Sequence, residues 1–577
     1  YWDGFLGKSK TILVDQGRIR MHACLNMKTK YPPYKGMKAI TATLVTAVSL
    51  GLLASASPLY AVAYTWTGTG ANGNWTDTGN WGGSTITNSS TIAFSGTNGL
   101  TNSNNSSITA ATIQFNSSSG TLGNFTLNGN TLTPVLITSE SGLQTINLNL
   151  LLSSNRSFTA NSGTLVINGT IGKSGAGTRG LNAIGAGTIV LNGSNSFDGF
   201  MRVANGTTLV IGNDHALGTA PLELINNDSF IEAGGGDRSI ANNVTFSNTA
   251  TFRGSNSLAV SGSTTITSTA NGRVLFNNIS AGKSLTFSGP VAFSSATPMS
   301  FNFGGTGSTI ISGAVSSATN VALNVNGGSV TLGGINSYTG TTRINAGTLL
   351  ITGTSGAGSS GVQINAGTLH VDANGGADAI TNSITFISAN GSYVLERANG
   401  TAYSAYTSSS VLTGGRDTTA SLLAGTASTA RTLTTGFDSA ASQSPTNDGI
   451  RASDVFSLNG TGSDLFVLQL EIADLNATQY LGWLDGTDTW VNAVSGNTGN
   501  NASAPQQGYL GSFTNFQITY GSDLSSYVGA YGVDDSGDRV WAVLNHNSEF
   551  AIIPEPSTWL LIGTGLGVLL LRRRSRC

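Results

Sequence analysis

Charge is what this sequence has least of. Only 9% of its 577 residues are Asp, Glu, Lys or Arg, against about 25% in an average globular chain, which excludes an ordinary cytosolic enzyme. Cysteine is nearly missing. Cys24 and Cys577 are the two present, so the body between them has to fold without disulfides, as its size permits. Proline is scarce at 11 and no Gly-X-Y period runs, which removes collagen. The many Leu, Val, Ile and Phe positions argue against a wholly disordered chain. No basic stripe exists either. Tyr64 to Ile553 carries 14 basic against 25 acidic side chains, 13 of the acidic ones within 430–553, so binding to a phosphate backbone is not expected and no nucleic acid is among the partners. His22, His215, His370 and His546 stand far apart with no Cys or second His at metal-ligand spacing, so no metal site is expected. Gly172-Lys173-Ser174-Gly175-Ala176-Gly177 lacks the Walker pattern, and no cofactor is expected.

What is abundant is glycine, 77 residues, together with Asn, Ser and Thr. The two ends read as addresses. Residues 1–63 are a leader that includes a signal peptide, with Met27 or Met37 as the expected start. Lys28, Lys30, Lys35 and Lys38 precede an apolar stretch from Ala39 to Leu53, and Ala61-Val62-Ala63 offers small residues for signal peptidase, with Ala61 and Ala63 flanking the cleavage geometry. At the other end Trp559 to Leu571 is an apolar run followed by four arginines in Arg572–Arg576. As a helix it would rise about 20 Å, short of a hydrocarbon core of about 30 Å. It is expected to engage the inner membrane transiently, with the arginines held in the cytoplasm.

Just before that run stands Pro554-Glu555-Pro556. The motif, the short apolar segment and the terminal Arg cluster occur in order over 554–577 and together resemble the PEP-CTERM sorting signal of Gram-negative bacteria. The resemblance implies an exosortase-type processing enzyme as partner, which cleaves at or near Pro-Glu-Pro and delivers the body to the cell surface or an exopolysaccharide matrix.

A repeat organises the middle of the chain. Gly-Thr-Leu or a near variant recurs at Gly163-Thr164-Leu165, Gly187-Thr188-Ile189, Gly206-Thr207-Thr208-Leu209, Gly347-Thr348-Leu349 and Gly367-Thr368-Leu369, roughly twenty residues apart where adjacent. Each triplet opens a short β-rich run that cannot cover its own apolar face, so turns must stack. Residues 105–395 are therefore read as a right-handed parallel β-helix, a solenoid of about 14 turns. Leu165, Leu349 and Leu369 are expected on one face of one sheet, and the extra Thr after Gly206 predicts a bulge or a wider corner. Asn195/Asn336, Phe197/Tyr338, Gly199/Gly340 and Gly206/Gly347 also match at one common offset. The pattern Leu-x-Gly-x-Asn-x-(Tyr/Phe)-x-Gly followed by Gly-Thr-Leu resembles the autotransporter-associated β-strand repeat. Trp66, Asn74-Trp75 and Asn80-Trp81 look like the opening of such passengers. Residues 64–104 are read as an aromatic cap over the first rung, with carbohydrate stacking on the tryptophans as the alternative.

Residues 396–450, rich in Ala, Ser and Thr, read as a linker or last turns. Residues 451–553 read as an acidic antiparallel β domain, from the alternation at 465–472 and the turn signals Asn459-Gly460 and Asp485-Gly486. A twelve-stranded outer-membrane barrel needs well over 150 residues, more than this stretch holds. The whole is all-β, a solenoid followed by a small antiparallel domain and a short C-terminal apolar helix. The expected function is that of an exported, non-catalytic surface or extracellular-matrix protein, for adhesion or structure, with exopolysaccharide as a further partner. The alternative is a carbohydrate-active β-helix enzyme, a lyase or glycosidase using carboxylates among Asp198, Asp214, Glu223, Asp228, Glu232 and Asp237, with Arg202 and Arg238 nearby. The acidic turns Asp485-Gly486-Thr487-Asp488 and Asp534-Asp535-Ser536-Gly537-Asp538 do not fit a calcium-loop pattern.

Overall fold

The computed structural model describes residues 62–554, without 119, 205, 226–228, 268–271, 353–359, 372–383, 388–390, 398–405, 411–417, 427–430, 439–450 and 460–464. Short runs such as Thr164–Ile167 bury alternate residues, and the chain coils so that each strand pairs in parallel with its counterpart one turn on. A first sheet holds 12 strands, from Ala63–Trp66 to Val315–Ser317. A second column climbs from Thr101–Asn104 through Thr164–Ile167, Thr188–Leu191, Thr208–Ile211 and Ser229–Ala233 to Tyr406–Ser410. A third begins with Leu150–Leu152 beside Ile171–Lys173 and is continuous from Arg238–Ile240 to Ser392–Arg397. The solenoid has about 16 turns, more than the sequence estimate because coiling starts at Ala63 and runs beyond 395.

The Gly-Thr-Leu triplets mark the corner entering a strand. Gly163 and Gly347 have φ of +71° and +73°, and a Cβ on either would collide with the carbonyl oxygen of Gly142 or Gly328 in the turn beneath, so the corner requires glycine twice over. The extra Thr207 turns inward. It is fully buried, with its hydroxyl 2.5 Å from Ala204 O and 2.7 Å from Gly185 O, so its polar group is satisfied, and Thr208–Ile211 registers with both neighbours without a shift, which makes the site a wider corner and not a bulge.

Leu349 pairs directly with Leu369, and Leu165 stacks in line with Ile189 and Leu209. The two groups lie in different sheets, which corrects the expectation of one shared face. The strand Met201–Val203 belongs to the first sheet, whereas its counterpart Thr342–Ile344 continues the second. Likewise Ile189 faces the core from the second sheet and Val330 from the third. The repeat is thus one strand, corner and strand, and the second copy is rotated by one face. Any face can host it, because all three ask for alternate inward apolar residues and a tight corner.

Asn195 and Asn336 do the same work in both copies. Between strands, where the ladder lapses, Asn195 accepts from Ile171 N (2.6 Å) and donates to Ala216 O (2.5 Å), joining the turn below to the turn above. Asn336 accepts from Val315 N (3.2 Å). Phe197 and Tyr338 follow as buried plugs, the Tyr338 hydroxyl 2.7 Å from Thr342 Oγ1. Burial pushes that phenol well above its ordinary pKa.

Both ends of the stack are closed. Trp66, Trp75 and Trp81 are buried with Phe94 in a cluster of edge-on rings, Trp66 and Trp81 at 4.9 Å. Each indole N–H is satisfied, by Gly99 O, Asn102 Oδ1 and Trp75 O respectively. Rings packed this way cover the first rung and have no face free for a sugar, which overturns the carbohydrate-stacking alternative. At the C-terminal end the two surviving columns run into two antiparallel sheets. One continues from Ser392–Arg397 through Arg431–Asp438, Val455–Asn459, Glu549–Pro554 and Gln479–Leu484 to Trp490–Asn492. The other continues from Tyr406–Ser410 through Thr419–Thr426, Leu465–Glu471 and Arg539–Leu544 to Tyr531–Asp534, where Gln507–Leu510 is added in parallel. Phe466, Leu468, Leu470, Phe550 and Ile552 join the same apolar cluster as the solenoid core. The helix Phe513–Tyr520, capped by Ser512, lays Phe513 and Phe516 over Val467, Trp541 and Val543, so that part of the sheet is buried on both faces.

Replacing Asn195 by Ala would strand a buried N–H and a buried carbonyl. The expected loss is about 2–5 kcal/mol, while Asn161→Ser on the exposed surface stays within about 0.5 kcal/mol. Denaturant unfolding of the secreted body measures both.

Candidate functional site

The last strand leads into the sorting motif. Glu549–Pro554 lies between Val455–Asn459 and Gln479–Leu484, with Pro554 opposite Gln479. Proline has no N–H to offer a ladder, so the end of a strand suits it. Pro554 is the one motif residue within the described part; Glu555, Pro556 and the apolar run Trp559–Leu571 lie outside it, as does Ala61. No helix among the described residues is long and apolar enough to cross a membrane. Ala63 is exposed and opens the first strand, Ala63–Trp66, opposite Thr91. Cleavage after it would leave Tyr64–Trp66 paired with Ile92–Phe94.

The carboxylates weighed for catalysis are spread over the solenoid and engaged one by one. Asp198 pairs with Lys173 and accepts from Arg179 N, and the lysine above all, then that amide, hold it below the ordinary carboxylate pKa. Glu223 takes Arg202 at 2.6 Å and Glu232 takes Arg253 at 2.7 Å, each pair being register partners one turn apart. Asp237 accepts from Ser257 N and pairs with Lys283 two turns away (3.0 Å), and that amide first, then the lysine, lower its pKa. Asp214 accepts from Ser239 N, and Arg238 donates to Gly234 O. Asp228 lies outside the described residues. An open groove of about 430 Å³ is lined by Asp214, His215, Ser239, Asn242, Asn243 and Ser261.

The acidic turns of the C-terminal domain hold backbone: Asp538 accepts from Leu475 N (3.1 Å), and the Asp485 turn is locally bonded. Asp485 accepts from the Thr487 hydroxyl, Thr487 N and Thr489 N, which lower its pKa in that order. Among the described residues no three His, Cys, Asp or Glu side chains gather as metal ligands. His546 is half-buried, with Nε2 2.8 Å from Ala493 O and its ring 4.8 Å from Trp483. Burial lowers its pKa, with the Ala493 bond opposing.

The bridging role of Asn195 and the strand partner of Pro554 carry no local signature. Asn195 could be found only from its recurrence at Asn336, and Gln479 only from the fold.

Residues 553–574 match the PEP-CTERM protein-sorting motif. The tail is a sorting signal. That match begins at Ile553, inside the last strand. Residues 181–211 and 325–351 match the passenger-associated-transport-repeat, and these are the two segments that the structure rotates by one face. No curated protein and no solved structure matches the chain. A PEP-CTERM motif implies export and a membrane-anchoring sorting tail processed by an exosortase.

The sign of the His546 effect follows from its lowered pKa. The unfolded chain takes up the proton first as pH drops below about 6.5. Stability is therefore present above that pH and lost as pH falls toward the folded value. His546→Gln, which keeps a donor for Ala493 O, should remove the difference in thermal unfolding of the C-terminal domain between pH 7 and pH 5, read by tryptophan fluorescence.

Proposed function

We propose that the chain is an exported, non-catalytic surface or matrix protein that works through its stacked outer surface rather than through a pocket. The observation that carries this reading is the sorting motif set directly against the last buried strand of the domain that closes a charge-poor solenoid. Export and delivery account for both ends of the sequence, and the body between them is built for repetition. The engaged state of Asp198, Glu223, Glu232 and Asp237 supports the non-catalytic reading, because a glycosidase pairs two carboxyl groups across one substrate site. Adhesion or matrix structure, with exopolysaccharide as a partner, is the role that such a surface would fill. Its neutral hydroxyl and amide groups suit a polyhydroxylated polymer better than a polyanion.

Two experiments test the addresses. In a host with an exosortase, Glu555→Ala with Pro556→Ala should leave the full-length protein in the inner membrane. Unchanged release on immunoblots of membrane and extracellular fractions would leave only a plain anchor. N-terminal sequencing of the secreted body should begin at Tyr64, and a start more than a few residues away would discard Ala61 and Ala63 as the signal site.

A further inference from the structure

Asn547, in the loop that leads into the strand Glu549–Pro554, carries an amide that the fold gives nothing to bond. Among the described residues it is the only Asn or Gln with both polar atoms, Nδ2 and Oδ1, buried and neither in a hydrogen bond. Its neighbours in the chain are fixed. Asn545 N donates to Asn497 Oδ1 (2.9 Å), His546 Nε2 lies 2.8 Å from Ala493 O, and Leu458 N donates to Ser548 O (2.9 Å). The backbone that carries Asn547 is thereby held in place, while its amide bears the cost of an unmade donor and an unmade acceptor.

Asn547 lines an open groove of about 470 Å³, within the size range of small-molecule sites. The groove forms where strands part. Glu549 pairs with Ser457 and Phe550 with Trp483, and Leu484 then leaves that ladder to pair with Trp490. Ser457, Asn459, Asp485 and Glu549 add polar groups to the lining, and Leu484 adds an apolar one. All three bonds to the Asp485 carboxylate end on Oδ1, which leaves Oδ2 to accept from a guest. No Lys, Arg or His lines the groove, so nothing there attracts an anion. A metal cation would take the Asn547 oxygen and leave Nδ2 unmade. Adjacent hydroxyls can serve both atoms, because each hydroxyl donates and accepts.

From this geometry we infer that the groove is a subsite for a neutral saccharide. One hydroxyl accepts from Asn547 Nδ2, its neighbour on the sugar ring donates to Asn547 Oδ1, and a further hydroxyl donates to Asp485 Oδ2. Because the loop is already anchored on both sides of Asn547, little ordering has to accompany binding. The inference goes beyond the outer-surface reading and does not rest on it: the subsite belongs to the domain that closes the solenoid.

The test compares the secreted body with its Asn547→Leu variant, which keeps the side chain's shape and removes both polar atoms. Cellobiose, maltose, laminaribiose, lactose and mannobiose are the neutral probes, read by saturation-transfer NMR. A glucuronate disaccharide and calcium chloride are the charged ones. At least one neutral disaccharide should bind, and its affinity should fall about tenfold or more in Asn547→Leu. Without sugar the variant should unfold at the parent's temperature or higher, since it loses a buried amide that bonds nothing. Failure of every neutral probe, or binding that Asn547→Leu leaves unchanged, overturns the inference. Preference for the glucuronate overturns it too, as does a calcium-induced rise in unfolding temperature that Asn547→Leu abolishes. A variant that unfolds at a lower temperature shows that the amide has a structural task, which is equally fatal. Each of these results leaves the outer-surface reading standing, because that reading is carried by the solenoid and the sorting tail.

Discussion

Everything in this molecule answers to one bond, the backbone hydrogen bond that ties each turn of the solenoid to the next. It sets the spacing of like positions at about 4.8 Å, so each residue meets its counterpart one turn above and below. At such a distance two like charges repel by about 1 kcal/mol in water and by several at a protein surface. A column of lysines or aspartates would accumulate that cost at every rung. Neutral side chains that both donate and accept can instead bond to their own kind. Asn128, Asn147, Asn168 and Asn192 form such a column, each amide above Asn128 donating to the one below at 2.7–2.8 Å. Two of the solenoid's ion pairs set opposite signs on register partners, Arg202 with Glu223 and Glu232 with Arg253. The scarcity of charge and its arrangement are one consequence of the same spacing.

The bond also leaves a problem at either end, because a parallel sheet that stops exposes unpaired donors and acceptors. The chain solves it in two ways. At the start, bulky rings whose indole N–H groups find their own acceptors cover the first rung. At the finish, the direction of pairing reverses. The strands Thr419–Thr426 and Arg431–Asp438 run antiparallel to the last solenoid strands, and two closed-off sheets grow from them. Antiparallel strands need only short loops, and loops tolerate charge. Asp474, Asp488 and Asp538 there take left-handed conformations that short polar side chains accept, so the acidic surplus lies where no rung has to stack on it.

Much of this was legible in the sequence, for reasons that mark where the legibility ends. The turn length and the Gly-Thr-Leu corners could be read because every turn repeats the same demand. Which sheet a given Leu joins could not: Leu165 and Leu349 satisfy identical local rules, and only the summed lengths of the intervening turns decide the face. Reading 396–450 as a linker or last turns leaves room for Tyr406–Ser410 but not for the antiparallel strands Thr419–Thr426 and Arg431–Asp438, whose strand state comes from pairing with a ready edge rather than from their own apolar pattern. Asn195 was visible as a recurrence, but not as the side-chain bridge between the turns on either side. At the tail the motif was plain in the sequence, whereas its contact with the fold through Gln479 was not, since that partner lies 75 residues away in the chain.

That contact joins the two halves of the molecule's logic. Among the described strands the one ending at Pro554 is the last to emerge in synthesis, yet it sits between Val455–Asn459 and Gln479–Leu484, so neither neighbour is fully paired until it arrives. The domain that seals the solenoid is thus completed by the segment tied to the sorting tail. A chain truncated before Glu549 would lack both the seal and the address, whereas one cut after Pro554 keeps the seal and loses only the address. Placing the motif at the end of a central strand, instead of on a long tether, makes a finished fold the form in which the tail is presented.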